Sequence, residues 1–336
     1  MSSGKNERLI VSPSPHIAGD ETIPKLMYAV LYALIPAAVV SILFFGLDGL
    51  RVLLLSSLFC LLVEYLIMRF MLGRSSTLAD GSALITGLLL GFNLPSNLPA
   101  WMIFSGAVVA IGVAKLTFGG LGRNPFNPAL VGRVFLLISF PAQMTTWPLP
   151  RFLNFSWGED AVTGATALSV VKEGLKQGES MDSLLAKLPS LIDLILGATG
   201  GSIGEVSAIA LLAGGLYLLF KKVISWHIPV SYLLTVAVIT GVIWLIDPTK
   251  SASPLFHLFT GGLMLGAFFM ATDYVSTPMS AKGQLVYGVG CGVLTVVIRL
   301  YGAYPEGVSF AILLMNATTP LINNSFKPAR FGHQAA

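Results

Sequence analysis

Residues 27–71 read MYAVLYALIPAAVVSILFFGLDGLRVLLLSSLFCLLVEYLIMRFM. Two apolar runs, 27–46 and 52–71, flank a short break that carries Asp48, Gly49 and Arg51. About 20 apolar residues are enough for a helix to cross the hydrocarbon core of a bilayer. The stretch therefore reads as two successive membrane spans. Outward from it the pattern recurs at 81–95, 101–118, 126–141, 205–220, 228–246, 254–271, 284–301 and 307–323. The third and fifth of these ten are short, so they are tilted, broken, or half-helices buried against their neighbours. The first run is long and lacks a small-residue cleavage site, and it reads as a retained span rather than a signal peptide.

Composition agrees. Of 336 residues, 54% are hydrophobic and 11% charged, against about 25% charged in an ordinary soluble domain. Mean hydropathy is +0.80. Such a chain cannot cover a water-facing surface, which excludes a soluble enzyme, a disordered chain and a nucleic-acid binder. The net charge of +4 fits Lys and Arg at membrane ends. Cys60 and Cys291 lie in apolar runs and form neither a disulfide framework nor a metal site.

The positive charges also give direction. With ten spans, Lys5, Arg8, Lys25, Arg69, Arg74, Lys115, Arg123, Lys221, Lys222, Lys282, Lys327 and Arg330 fall on one side. That side is the cytoplasm, and it holds both termini. Arg51, Arg133 and Lys250 are outvoted. The long connection 142–204 then lies outside; its four basic residues against six acidic ones give 4 − 6 = −2. The reading is an all-α membrane protein of about ten transmembrane helices. Its parts are a cytoplasmic segment 1–26, five spans in 27–141, the outer loop 142–204, five spans in 205–323 and a cytoplasmic tail 324–336. Five spans per half makes the halves an inverted repeat. Two short matches support it: Gly87–Gly91 (GLLLG) with Gly262–Gly266 (GLMLG), and Lys115-Leu116 with Arg299-Leu300. Small residues four apart also serve plain helix packing.

The outer loop contains Asp160-Ala161-Val162-Thr163-Gly164-Ala165-Thr166-Ala167-Leu168 ahead of a short amphipathic helix, 169–176. On composition alone Thr163 or Thr166 is that helix's N-cap. The stretch also resembles the flavinylation motif, Asp-Gly-x-Ser/Thr-x-Ala-Thr, of the membrane proteins called RnfD and NqrB. Further similarity lies in Gly119–Ala129 (GGLGRNPFNPA), Trp226-His227-Ile228-Pro229, Ala271-Thr272-Asp273 and Tyr304–Ala311 (YPEGVSFA). It runs from about residue 8 to the C-terminus, and the short N-terminal region favours the Rnf type. Two positions depart from the pattern: Ala161 stands where the family usually has Gly, and Ala167 where many members have Pro.

The resemblance implies FMN on Thr166 through a phosphoester, installed by a separate exported flavin transferase, with Asp160, Thr163, Gly164 and Ala165 forming the motif around it. It implies a second, non-covalent flavin, riboflavin, on the cytoplasmic side, with Asn124 and Asn127 at its ring edge and Asp273 as proton donor. The implied function is that of the RnfD component of an Rnf complex in the bacterial inner membrane. Such a complex moves electrons between ferredoxin and NAD and couples this to Na⁺ or H⁺ transport. Partners are the other Rnf subunits, above all the FMN-bearing one on the outer face, and membrane lipid. The chain is not catalytic alone.

Ionisable residues inside spans mark function or paired structure. Glu64, mid-span, reads as an ion-coupling candidate or as a carboxyl hydrogen-bonded across helices. Lys115 and Arg299 read as side chains snorkelling to the interface or as partners of reduced flavin. No Walker loop, dinucleotide fingerprint or CxxC cluster occurs, so the chain is expected to bind neither ATP nor NADH, and no iron–sulfur cluster. The rival reading is a urea-channel-like solute channel, which gives the Thr163–Thr166 motif no task.

Overall fold

A computed structural model describes residues 22–74, 77–153, 163–197, 199–205 and 207–327. The chain is mostly helical. Helix α1 (Ile23–Leu66) starts at Thr22, whose hydroxyl accepts from the Lys25 amide, and carries Pro24 in its first turn. It is broken at Gly46, which has φ 59° and ψ −141°, a backbone that only glycine adopts without strain. A π-helical turn, Ile67–Met71, ends it. At 1.5 Å per residue, each arm is roughly 35 Å long, so the first two expected spans are the arms of one bent helix.

The rest follows as α2 (Ser82–Phe92), α3 (Ala100–Ala107, continued by a π segment Val108–Leu116), α4 (Pro128–Ser139) and α5 (Pro141–Met144). Then come α6 (Ala167–Lys176), α7 (Met181–Leu185), α8 (Leu191–Leu196), α9 (Ala208–Phe220) and α10 (His227–Ile246). The last are α11 (Pro254–Phe259), α12 (Leu263–Leu265, continued by a π segment Gly266–Met270), α13 (Ala281–Tyr301) and α14 (Val308–Ser325). Among the described residues, three helices are long and apolar enough to cross a membrane: Ile23–Met71, His227–Ile246 and Ala281–Tyr301. Shorter apolar helices span Ser82–Phe92, Ala100–Leu116, Pro128–Ser139 and Ala208–Phe220. The outward faces are apolar as well. On α10, Val230, Leu234, Val238, Val242 and Leu245 are exposed at helical spacing. That stripe suits lipid, as expected of a membrane protein.

The two short spans expected from the sequence are short in the structure, at 11 residues for α2 and 12 for α4. The eighth expected span is not continuous. It breaks at Thr260–Gly262, where Gly261 (φ 70°) and Gly262 (φ 60°) turn the chain between α11 and α12. The matched glycines differ in role. A Cβ on Gly87 would lie 2.5 Å from the Ser57 Cα, so this position lets α2 press against the second arm of α1. Gly262 instead starts α12 in the left-handed conformation, as Gly81 (φ 79°) starts α2. Gly81, not Gly87, is the geometric counterpart of Gly262.

The long connection after α5 is folded rather than a plain loop. Trp147–Pro148 pairs antiparallel with Thr163–Gly164. Helices α6–α8 enclose a small separate core of Leu168, Val171, Met181, Leu184 and Leu194, with Ala252 and Phe256.

Candidate functional site

Thr166 is the N-cap of α6. Its Oγ1 accepts from the Ser169 amide at 3.2 Å and donates to the Ser169 hydroxyl at 3.0 Å. Thr166 is only 4% exposed, whereas Thr163 and Ala165 are exposed and Gly164 is half-buried. Gly164 packs closely on the strand partner's neighbour: a Cβ there would meet the Leu149 side chain at 2.8 Å. Asp160 lies outside the described residues. The capping reading of Thr166 is thus the local geometry. It is also compatible with a phosphoester, because a phosphate on a capping oxygen faces the free amides and positive end of a helix. Esterification removes the hydroxyl proton and with it the donation to the Ser169 hydroxyl, while Oγ1 can still accept from the Ser169 amide. One face of α6 contributes Leu168, Val171, Lys172 and Lys176 to a pocket of about 220 Å³ with Lys250, His257 and Arg299. Lys172 donates to the carbonyls of Tyr304 at 2.9 Å and Ile298 at 3.4 Å. Burial, and then neighbouring Lys176, lower its pKa.

Away from the Thr166 loop, Asn124, Asn127 and Asp273 come together. Asn127 caps α4, accepting from the amides of Ala129 (3.0 Å) and Leu130 (3.4 Å), and donates to the Met270 carbonyl at 3.2 Å. Asn124 donates to the Phe126 carbonyl at 3.0 Å and lies beside Asp273, whose Oδ2 accepts from the Ser276 hydroxyl at 2.8 Å. Asp273 is in the turn after the α12 segment, and burial raises its pKa above the ordinary 3.8. All three line one cavity with Ser82, Lys115, Phe268 and Phe269. Its volume is about 80 Å³, room for a few waters and well below the several hundred Å³ of a typical ligand pocket. A larger cavity of about 690 Å³ shares Ile224, Thr272 and Tyr274 with it.

Glu64 is 1% exposed and Lys115 2%. They form an ion pair at 2.6 Å. Thr77 donates to the other carboxylate oxygen at 2.6 Å, and Lys115 donates to the Ser82 hydroxyl at 2.7 Å. The Lys115 ammonium is therefore not snorkelling to the interface, because its charge is matched inside. Nor is Arg299, which is 4% exposed and donates to the carbonyls of His257 (2.6 Å), Thr260 (2.7 Å) and Gly261 (3.1 Å). It satisfies the acceptors that the break between α11 and α12 leaves free. Sequence reasoning also missed Arg133 as a buried cation, bonded to Glu306 and Ser309. Its one visible signal was that it broke the charge rule for membrane ends.

The comparisons decide the family. The family model described as "NQR2, RnfD, RnfE family" matches residues 10–332. The chain belongs to the NQR2, RnfD, RnfE family. It is 44% identical, over 98% of its length and 97% of the relative's, to the D component of the proton-translocating ferredoxin:NAD(+) oxidoreductase complex of Clostridium ljungdahlii. It is 45% identical, over 96% of its length and 95% of the relative's, to the Na(+)-translocating counterpart of Acetobacterium woodii. The D component of the ion-translocating oxidoreductase complex of Cronobacter sakazakii is 41% identical over 96% of this chain and 99% of its own. Two relatives of nearly equal similarity are named for different ions, so overall likeness does not assign the ion here.

Proposed function

We propose that the chain is the RnfD-type membrane component of an Rnf complex, carrying electrons through FMN esterified to Thr166 on the outer face. What carries the reading is near full-length similarity to chains named as the D component of ferredoxin:NAD(+) oxidoreductase complexes. The placement of Thr166 at a helix N-terminus suits a phosphate. The flavin, when bound, supplies the redox chemistry, and the chain supplies position and electrostatics. Thr163 and Gly164 hold the approach to α6 by pairing with 147–148. The partners are the other Rnf subunits, above all the one carrying FMN on the outer face, with a flavin transferase for maturation and Na⁺ or H⁺ as coupled ion.

The ten-span, inverted-repeat reading has support in packing. The first arm of α1 packs on α9, and α4 packs on α14, so like elements of each half meet. Within each half, the second element packs on the fourth, α1 on α3 and α10 on α13, and the fourth on the fifth. Each half also brings a cation of its fourth element to its third, Lys115 to Ser82 at the start of α2 and Arg299 to Gly261 in the break before α12. Both termini are then cytoplasmic and 142–204 extracytoplasmic. Glu64 is the ion-coupling candidate. Its carboxylate is engaged by Lys115 and Thr77, so an ion entering there must displace Lys115.

The test is co-expression with the transferase, followed by in-gel flavin fluorescence of the denatured chain and peptide mass spectrometry across residues 152–172. A flavin-modified Thr166 peptide is expected. An unmodified peptide, with the transferase active on another substrate, overturns the covalent site and makes solute-flux assays of the channel reading the next step.

A further inference from the structure

Three ionisable groups outside the sites above, Arg133 and Glu306 buried and Glu205 half-buried, meet between the two halves. Arg133, on α4, is 6% exposed and donates to the Glu306 carboxylate and the Ser309 hydroxyl. Glu306, in the connection between α13 and α14, is 8% exposed. Glu205 closes the 3₁₀ turn Ile203–Glu205 ahead of α9 and accepts from the Ser202 hydroxyl at 2.8 Å. Its carboxyl lies beside that of Glu306. The niche is shaped for it, since a Cβ on Gly201 would lie 2.7 Å from the Glu205 Oε2.

Two ionised carboxylates have no donor between them and repel, so side by side they are stable only when one carries a proton for the other to accept. Charge balance gives the same count. Arg133 offsets one carboxylate, and a second unpaired carboxylate in a buried site is strongly disfavoured. The other cation nearby, Arg299, has its Nη donors on carbonyls of residues 257, 260 and 261. One acceptor is left open: Glu306 Oε1 is buried and has no hydrogen-bond partner. The occupant is a proton rather than a metal cation, because Arg133 already sits on Glu306 and Arg299 holds the neighbouring carbonyls.

We propose that Glu205 and Glu306, clamped by Arg133, form a proton-binding site that holds one exchangeable proton where the two halves of the chain meet. Its service as the store for the proton that accompanies an electron rests on the electron-carrying reading above; the site itself does not.

The test is infrared spectroscopy of the purified complex. The carbonyl stretch of a protonated glutamic acid is expected in the oxidised complex, shifted by D₂O and by ¹³C-glutamate labelling. It is lost in Glu205→Gln and in Glu306→Gln. Glu205→Asp and Glu306→Asp keep the acid and move the band, which serves if the amides fail to assemble. A wild-type complex without a labelled, D₂O-sensitive acid band overturns the site, as does a band unmoved in all four variants. Reduction of the flavin is expected to change the band. A resting band with flavin reduction signals but no change overturns the storage role. A resting band with no flavin signal leaves the proton site standing and sinks the electron-carrying reading instead.

Discussion

Removing one member of the Glu64–Lys115 pair should destabilise the chain far more than removing both. The two side chains are 1% and 3% exposed and 2.6 Å apart, so neither charge has water to fall back on. Breaking such a pair costs about 3–5 kcal/mol, because the remaining charge stays buried, whereas replacing both partners with neutral groups of similar volume is often close to neutral. At about 1.4 kcal/mol per tenfold, Glu64→Gln or Lys115→Met should shift the unfolding equilibrium roughly 10²–10⁴-fold. Glu64→Gln/Lys115→Met should recover most of it. The exposed pair Lys187–Glu179, at 2.7 Å but with side chains 57% and 33% exposed, is the internal control. Its removal should cost no more than about 1 kcal/mol. Denaturant unfolding in detergent, followed by intrinsic tryptophan fluorescence across both double-mutant cycles, measures the difference. A coupling energy at Glu64–Lys115 no larger than that at Lys187–Glu179 would refute the claim that this charge is matched inside the fold.

Thr166→Ala should abolish covalent flavin, read by peptide mass spectrometry, and weaken α6 by about 1 kcal/mol through loss of the cap; Thr163→Ala should mainly lower the yield. The reverse pattern sinks Thr166 as the attachment residue. Asp273 has its folded pKa raised above 3.8 by burial, so the folded chain binds more protons there than the unfolded one. Its contribution is therefore most favourable below the unfolded pKa and is lost as pH rises through the folded one. Asp273→Asn should stabilise the chain at neutral pH and make little difference near pH 3; thermal melts at both values check the sign. Gly81→Ala forces a side chain onto φ 79° and should cost about 1–2 kcal/mol, while Ala83→Gly, two residues further on, tests helix propensity instead.

Most helices were legible because lipid exposure imposes a single requirement, long apolar runs, that hydropathy reads directly. The bend of α1 was visible as Gly49 and its charged neighbours, although the break itself falls on Gly46. The break in the eighth span was not, because Gly261 and Gly262 sit inside an apolar run and a hydropathy window averages over them. Their pairing was the available signal, and it was absorbed into a packing motif. Glu205 was counted into the sixth span, yet it belongs to the turn before α9. The Thr166 motif announced a helix and left Thr163 and Thr166 open as its cap; the structure puts the cap on Thr166 and starts the helix at Ala167.

Buried charges were the harder case, for a physical reason. A sequence presents each charge singly, and snorkelling is the cheapest account of a single one near a helix end. What keeps Lys115 inside is Glu64, 51 residues away; what keeps Arg133 inside is Glu306, 173 residues away. Neither separation is fixed by any periodicity, but both follow from one constraint: an ionised group that cannot reach water must meet its counter-charge. The first pair stays within one half of the chain, tying α1 to the segment after α3. The second crosses between halves. Arg133 and Glu306 therefore do what apolar packing in a lipid solvent does weakly, since hydrocarbon gives helices little reason to prefer each other over lipid. They fix which face of α4 meets the connection into α14, and with it the register of one half against the other.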